Sequence, residues 1–429
     1  MKKLETLIKN KTAKISIIGL GYVGLPLAIK FSSLGFEVYG FEKDQNKIQD
    51  LNKSKIYVDT IKKDDFIKVK NKKFKYSSNK AILSKCDIHI ICVPTPITQN
   101  KTPDMTYLND SRDLLSEINL TNKAIILEST TYPGTTEELF LPLLKKKKLK
   151  IGKNVALIYS PERIDPGNKK FSVENTPKIV SGYTKTCLKI AENIYKNITQ
   201  IVPVTNIKTA EFTKILENVY RSINIGFVNE MKMITEKLEI DIFEVIDAAK
   251  TKPFGYVPFY PGPGLGGHCI PVDPYLLSWK AKELNINTRF IELSGEINNY
   301  MPEYVVTKIN QIISQNNKKI NDSKILILGV SYKKDSPDTR ETPSIKIINN
   351  LKKQGFDVFV SDKFCSKFYL KKNKLKNINL NAKNISNFDC VVIVTDHSYF
   401  DYSLIEKKAK LIVDCRGRIK NINKSKIRA

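Results

Sequence analysis

Pro261 to Tyr275 reads PGPGLGGHCIPVDPY, with four glycines and four prolines in fifteen residues. That density excludes helix and strand and leaves a tight, ordered loop. At its centre stands Cys269, with His268 before it and Asp273 after it, and Gly264, Gly266 and Gly267 clear side chains from the approach to the thiol. A cysteine so placed is a candidate nucleophile; a tight turn around a buried thiol is the plainer alternative. His268 invites a Cys–His dyad, but adjacent side chains point in different directions and the other histidines, His89 and His397, are distant in sequence, which disfavours a thiol hydrolase.

A second cluster is Lys14 to Gly24, KISIIGLGYVG. A β-branched run enters Gly19-x-Gly21-x-x-Gly24 and continues into the helical segment LPLAIKFSSLG. Strand, glycine turn and helix are the context a dinucleotide fingerprint requires. Gly19 permits the turn, Gly21 lets a pyrophosphate approach the backbone, and Gly24 lets helix and strand pack, with Tyr22 and Val23 between them as further cofactor contacts. Glu42 follows at the end of the next strand, about 20 residues on, where an acid accepts hydrogen bonds from a ribose. A carboxylate there repels a 2′-phosphate, so NAD is expected over NADP; Asp44 is the rival for the role.

The elements that position these groups alternate. Apolar runs at Cys86–Pro96, Lys123–Thr130 and Asn154–Asn168 read as strands between helical segments, with KKDDFIKVKNKKFKYSS as a charged excursion. This is a parallel, doubly wound sheet, whose ligands sit beyond the carboxyl ends of the strands. Thr95, Thr130 and Glu162 fall at those ends and should contact cofactor or water. Thr209 to Leu238 forms the longest helix, with an apolar stripe at Phe212, Leu216, Val219, Ile223, Phe227 and Met231. A second stripe, Lys214, Asn218, Ser222, Ile225 and Asn229, is either a wet surface or the wall of a cleft. At Lys324 a second strand–glycine start appears with Gly329 alone, followed by FDVFVSD, DCVVIVTDH and KLIVDC. The expected fold is α/β, with two Rossmann-like doubly wound domains joined by a central helical region. The divisions expected are 1–205, 206–310 and 311–429.

The chain has 429 residues and a formal charge of +27, from 71 basic and 44 acidic side chains. The lysines are spread along the chain, so nucleic acid is not the expected partner, although the field would attract an anionic small molecule. No apolar run approaches the ~20 residues a membrane helix needs. Seven scattered cysteines without a CxxC pair point to reduced thiols in a cytoplasm, with neither disulfides nor zinc, and no signal peptide is expected.

The thiol loop resembles the catalytic cysteine loop of the UDP-glucose/GDP-mannose dehydrogenase family. So do the TVYPG-like and SPER-like segments, the helix pattern E-x-x-K-x-x-x-N at Glu211, Lys214 and Asn218, and KKDSPDTRETPS in the last domain. GGHCIPVDP, with Val272 where a lysine is usual, is similar to the branch acting on UDP-N-acetylhexosamines; KPFGYVPFYPGPGLGG and ESTTYPGTTEE point the same way. The resemblance implies oxidation of a C6 alcohol to a carboxylate with two NAD, UDP-N-acetylglucosamine favoured. It implies Cys269 as nucleophile, Lys214 and Asn218 at the oxyanion, Asp273 and Thr130 on water, and Glu162 as acid/base. Glu162, Arg163, Lys214, Asn218, Tyr260, Gly264, Gly266, Gly267, Lys333 and Arg340 would meet the substrate, with Asp338 nearby. It further implies subunits packed through central helices, as a homodimer or higher. UDP-glucose, the other UDP-hexosamines and a single-oxidation NAD dehydrogenase remain the alternatives, along with a catalytically dead sensor.

Overall fold

The computed structural model describes all residues except Asp59, 164–172, His268, 366–367 and 371–372. The chain divides into two units, Met1–Glu217 with Tyr275–Ile286, and Asn218–Pro274 with Asn287–Ala429.

In the first unit the apolar runs form one sheet: β1 (Lys14–Ile18), β2 (Glu37–Phe41), β3 (Phe74–Ser77), β4 (Ile88–Ile91), β5 (Lys123–Leu127), β6 (Val155–Tyr159), β7 (Lys178–Gly182) and β8 (Ile201–Pro203). Their order among the described residues is β3-β2-β1-β4-β5-β6-β7-β8. The reversal between β1 and β4 makes the switch point at which α/β sheets bind ligands. Ile15, Ile17, Ile88, Ile90, Ile126 and Ile158 build the core against Leu25, Ala28 and Phe31 of the helix Gly24–Ser33. β6 and β7 run antiparallel, so the sheet departs from the all-parallel expectation. The charged excursion is also corrected. KKFKYSS ends in β3, an edge strand that buries Phe74 and exposes Lys75. Lysine on an exposed edge blocks further pairing, and its frequency there disguised the strand.

In the second unit five parallel strands pair in the order Asp357–Ser361, Lys324–Leu328, Cys390–Ile393, Ile412–Asp414, Lys426–Arg428. Gly329 has φ +76°, and a Cβ on it would stand 2.4 Å from Thr395 Cβ.

One helix, Ile207–Lys237, runs unbroken through 31 residues. Its polar stripe is the buried one: Glu211, Lys214, Asn218, Ser222, Asn229 and Lys232 are all buried. Much of its apolar stripe is exposed, with Phe212 at 44%, Leu216 at 52% and Phe227 at 53%.

Candidate active site

The glycine turn after β1 has the form its spacing requires. Gly19 takes φ +92°, open to glycine, and a Cβ there would touch the Cys92 carbonyl at 3.0 Å. A Cβ on Gly24 would stand 1.9 Å from the Gly19 carbonyl oxygen, so helix and turn meet only without a side chain. Around Gly21 nothing lies within 4 Å of a Cβ. That open space beside backbone, at the start of a helix, fits a pyrophosphate. Tyr22 and Val23 are half-buried beside it. Of the two rival acids, Asp44 caps the helix Gln45–Asn52 by accepting from the Asn46 amide. Glu42 instead reaches the turn, accepting from the Leu20 amide at 3.1 Å, the Asp44 amide at 3.1 Å and Lys47 Nζ at 3.2 Å.

Beyond β4 and β5, the Thr95 hydroxyl donates to the Thr130 carbonyl, joining two of the expected residues. Glu211 secures the next turn. Its carboxylate accepts from the Gly134 amide at 2.5 Å, the Thr136 amide at 2.9 Å and the Thr136 hydroxyl at 2.6 Å. Burial pushes its pKa up to about 7, against the pull of those donors. The segment carrying Thr130 is thereby tied to the helix carrying Lys214. Lys214 is buried, and its ammonium has no hydrogen-bond or ion-pair partner among the described residues.

Beyond β6, Glu162 accepts from the Arg163 amide at 2.7 Å and faces Lys178 Nζ at 3.5 Å. Arg163 is expected at the substrate. Its guanidinium donates to Glu217 Oε1 at 2.9 and 2.6 Å and to the Pro177 carbonyl at 2.7 Å. It fastens the loop that carries Glu162.

In the second unit the polar stripe of the long helix holds the thiol loop. Asn229 accepts from the Gly262 amide at 2.9 Å and donates to Asn298 at 2.9 Å, while Asn298 donates to the Ser222 carbonyl at 3.1 Å. The Asn218 amide donates to Asp273 Oδ2 at 2.5 Å, and the Asp273 amide donates to the Cys269 carbonyl at 2.8 Å. Asp273 opens the helix Asp273–Glu283, and Cys269 stands exposed in the turn before it. Lys214 and Asn218 lie four positions apart, one turn, on the same helix face. His268 lies outside the described residues.

The loop glycines have a reason that the sequence did not suggest. A Cβ on Gly266 would stand 2.4 Å from Tyr332 Cβ, and one on Gly267 2.9 Å from the Tyr332 ring; on Gly264, at φ +120°, it would stand 3.2 Å from Pro302. The room they leave admits the segment Ser331–Thr342, whose Arg340 carbonyl accepts from the Gly267 amide at 2.9 Å. Within that segment Asp338 is buried and the Arg340 guanidinium grips its carboxylate from 2.6 Å; Lys333 is half-buried. The segment is pinned from below by His397, which bonds Asp362 at 3.0 Å and accepts from the Asp335 amide at 2.9 Å. Tyr260 donates to Asp247 at 2.6 Å at the surface. Three residues went unread in sequence. Tyr332 wedges the loop, Lys178 faces Glu162, and Arg416 places Nη1 2.8 Å from where a Gly262 Cβ would stand.

Three family profiles cover the chain in order. The NAD binding domain of the UDP-glucose/GDP-mannose dehydrogenase family matches residues 13–199, its central domain 208–300 and its UDP binding domain 326–421. A UDP-N-acetyl-D-glucosamine 6-dehydrogenase of Pseudomonas aeruginosa is 34% identical over 360 residues, 83% of this chain and 84% of its own length. A UDP-N-acetyl-D-mannosamine dehydrogenase of Methanocaldococcus jannaschii is 33% identical over 432 residues, 98% of this chain and 93% of its own. The solved structure of a UDP-D-ManNAc dehydrogenase from Pyrococcus horikoshii superposes with a TM-score of 0.86 at 30% identity, covering 95% of this chain and 96% of that one. An oxidoreductase with a dinucleotide cradle, a thiol loop and a second nucleotide domain in this order, the chain belongs to the UDP-glucose/GDP-mannose dehydrogenase family and uses NAD.

Proposed function

We propose that this enzyme oxidises the C6 alcohol of a UDP-N-acetylhexosamine to the carboxylate, with UDP-N-acetylglucosamine as the first substrate to test and its mannosamine epimer as the second. The observation that carries the reading is the exposed Cys269 in a loop anchored by Asn218, Asp273 and Asn229. Residues 1–205 would serve NAD, 206–310 the chemistry and 311–429 the UDP group. When bound, NAD accepts the two electrons and the hydrogen of each oxidation. Gly19, Gly21, Gly24 and Glu42 would hold it.

The chain's own residues do the rest. Lys214, entering as the neutral amine, takes the C6 hydroxyl proton as the aldehyde forms and so becomes the ammonium. The Cys269 thiolate then adds to the aldehyde carbon, forming a C–S bond and a thiohemiacetal, so the aldehyde cannot leave. Lys214 and Asn218 stabilise the oxyanion at that step. The second oxidation leaves a thioester. Asp273 and Thr130 position a water, Glu162 takes its proton, and the C–S bond breaks to return the thiol and release the acid. One alcohol, one water and two NAD become one carboxylate, two NADH and three protons.

The exposed apolar face of the long helix, Phe212, Leu216, Tyr220 and Phe227, fits a second copy of the chain, giving a homodimer or higher. Seven cysteines with no disulfide among the described residues suit a cytoplasmic setting. The test is NADH formed per sugar, with each UDP-sugar supplied singly. Two per acetylated hexosamine, abolished as acid production by Cys269→Ser with NAD binding intact, supports the reading. One per sugar, or full acid production by the variant, overturns it.

A further inference from the structure

Behind Glu162 lies a group of charges, all in the first unit. Lys178, the first residue of β7, is 5% exposed. Its ammonium stands 2.9 Å from Glu128 Oε2, 3.5 Å from Glu162 Oε2 and 3.4 Å from the Pro161 carbonyl. Glu128 is buried at the end of β5, and the Tyr195 hydroxyl donates to its other oxygen. Cys92, buried after β4, is a further titratable group against the ammonium. Burial alone would strip the Lys178 proton; the carboxylates of Glu128 and Glu162 outweigh it and hold the ammonium charged above the ordinary lysine range. Arg163, tied to Glu217 and to the carbonyl of Pro177, fixes the backbone of Glu162 to the strand start that carries Lys178.

We infer that Lys178 is a positioning residue that holds Glu162 as a carboxylate ready to take a proton, an assignment resting on the acid/base role proposed for Glu162. The geometry carries the argument: among the described residues, one buried ammonium stands between the Glu128 and Glu162 carboxylates. Glu128 is cut off from water, while the Glu162 side chain is 15% exposed. The cluster therefore has one closed end and one open end, and a proton enters or leaves at Glu162. Glu128 and Tyr195 keep the ammonium in place between them.

The experiment is the pH dependence of kcat with NAD and the UDP-sugar, read at the acidic limb where the base form is lost. Lys178→Met alone would strand Glu128 as a buried unpaired charge, so it is paired with Glu128→Gln. The folded double variant should move the limb to higher pH by about one unit or more, because a nearby opposite charge lowers a carboxyl pKa by roughly that much. Lys178→Arg should keep the limb in place. Glu128→Gln alone leaves Lys178 wholly to Glu162 and should move the limb to lower pH, which keeps the inference testable if the double variant does not fold. A folded double variant, or a Glu128→Gln protein, with an unmoved limb overturns it. A limb that survives Glu162→Gln overturns the acid/base reading itself and this inference with it.

Discussion

The Asn218 amide donates to the Asp273 carboxylate across 2.5 Å, and both side chains are buried. Asn218→Asp would set two carboxylates at hydrogen-bond distance, where both cannot ionise. The pair then retains a proton above the ordinary aspartate range. A raised folded-state pKa gives stability that is present at low pH and lost as pH rises through it. Between about pH 5 and 8 the variant should lose stability relative to the parent, by up to ~1.4 kcal/mol per pH unit. Denaturation midpoints across that range check this; a constant offset refutes the coupling.

Two glycines separate binding from stability. A Cβ at Gly21 meets nothing within 4 Å, whereas at Gly266 it stands 2.4 Å from Tyr332 Cβ. Gly21→Ala should leave the unfolding midpoint unchanged and raise the KM for NAD. Gly266→Ala should cost about 1–3 kcal/mol, the usual range for overpacking, and lower kcat by displacing the thiol loop. Denaturation and steady-state kinetics on both variants test the contrast, and equal effects on NAD binding would sink it.

His89 makes the first unit acid-labile. It is fully buried in β4, with Nδ1 2.8 Å from the Ser16 hydroxyl and Nε2 without a partner among the described residues. Burial, with Lys123 adding to it, pushes the imidazole pKa down to about 3. The unfolded chain takes a proton near pH 6.5, so stability falls as pH drops below ~6.5, by about 1.4 kcal/mol per unit, until the folded pKa is reached. His89→Leu removes this dependence. Hydrogen exchange of the β4 amides at about pH 7 and 4.5 should show the two proteins diverging only at the lower value.

The two Rossmann starts were readable in sequence because their signals are local: a β-branched run, a glycine turn and a helix within about twenty residues. The long helix was readable as an element but not in its orientation. Periodicity separates two faces without saying which turns inward, and here Asn218 and Asn229 turn inward because each holds the thiol loop, while Leu216 and Phe227 turn out. Pairings across long sequence separations left no local trace. Arg163 with Glu217, Lys178 with Glu128 and Tyr332 against Gly266 depend on how strands and loops meet in space.

Of the seven cysteines, Cys86, Cys92, Cys187, Cys365, Cys390 and Cys415 are buried, and Cys269 is exposed. Burial drives the pKa of Cys86, Cys365 and Cys415 up to about 12 and raises Cys92 and Cys390 as well, so little thiolate exists among them at neutral pH. The fold thereby makes the chain its own titrant. A soft electrophile such as iodoacetamide would consume one equivalent per folded chain, at the loop on which turnover is proposed to depend. The fraction of competent molecules in any preparation could be counted by mass before a substrate is known.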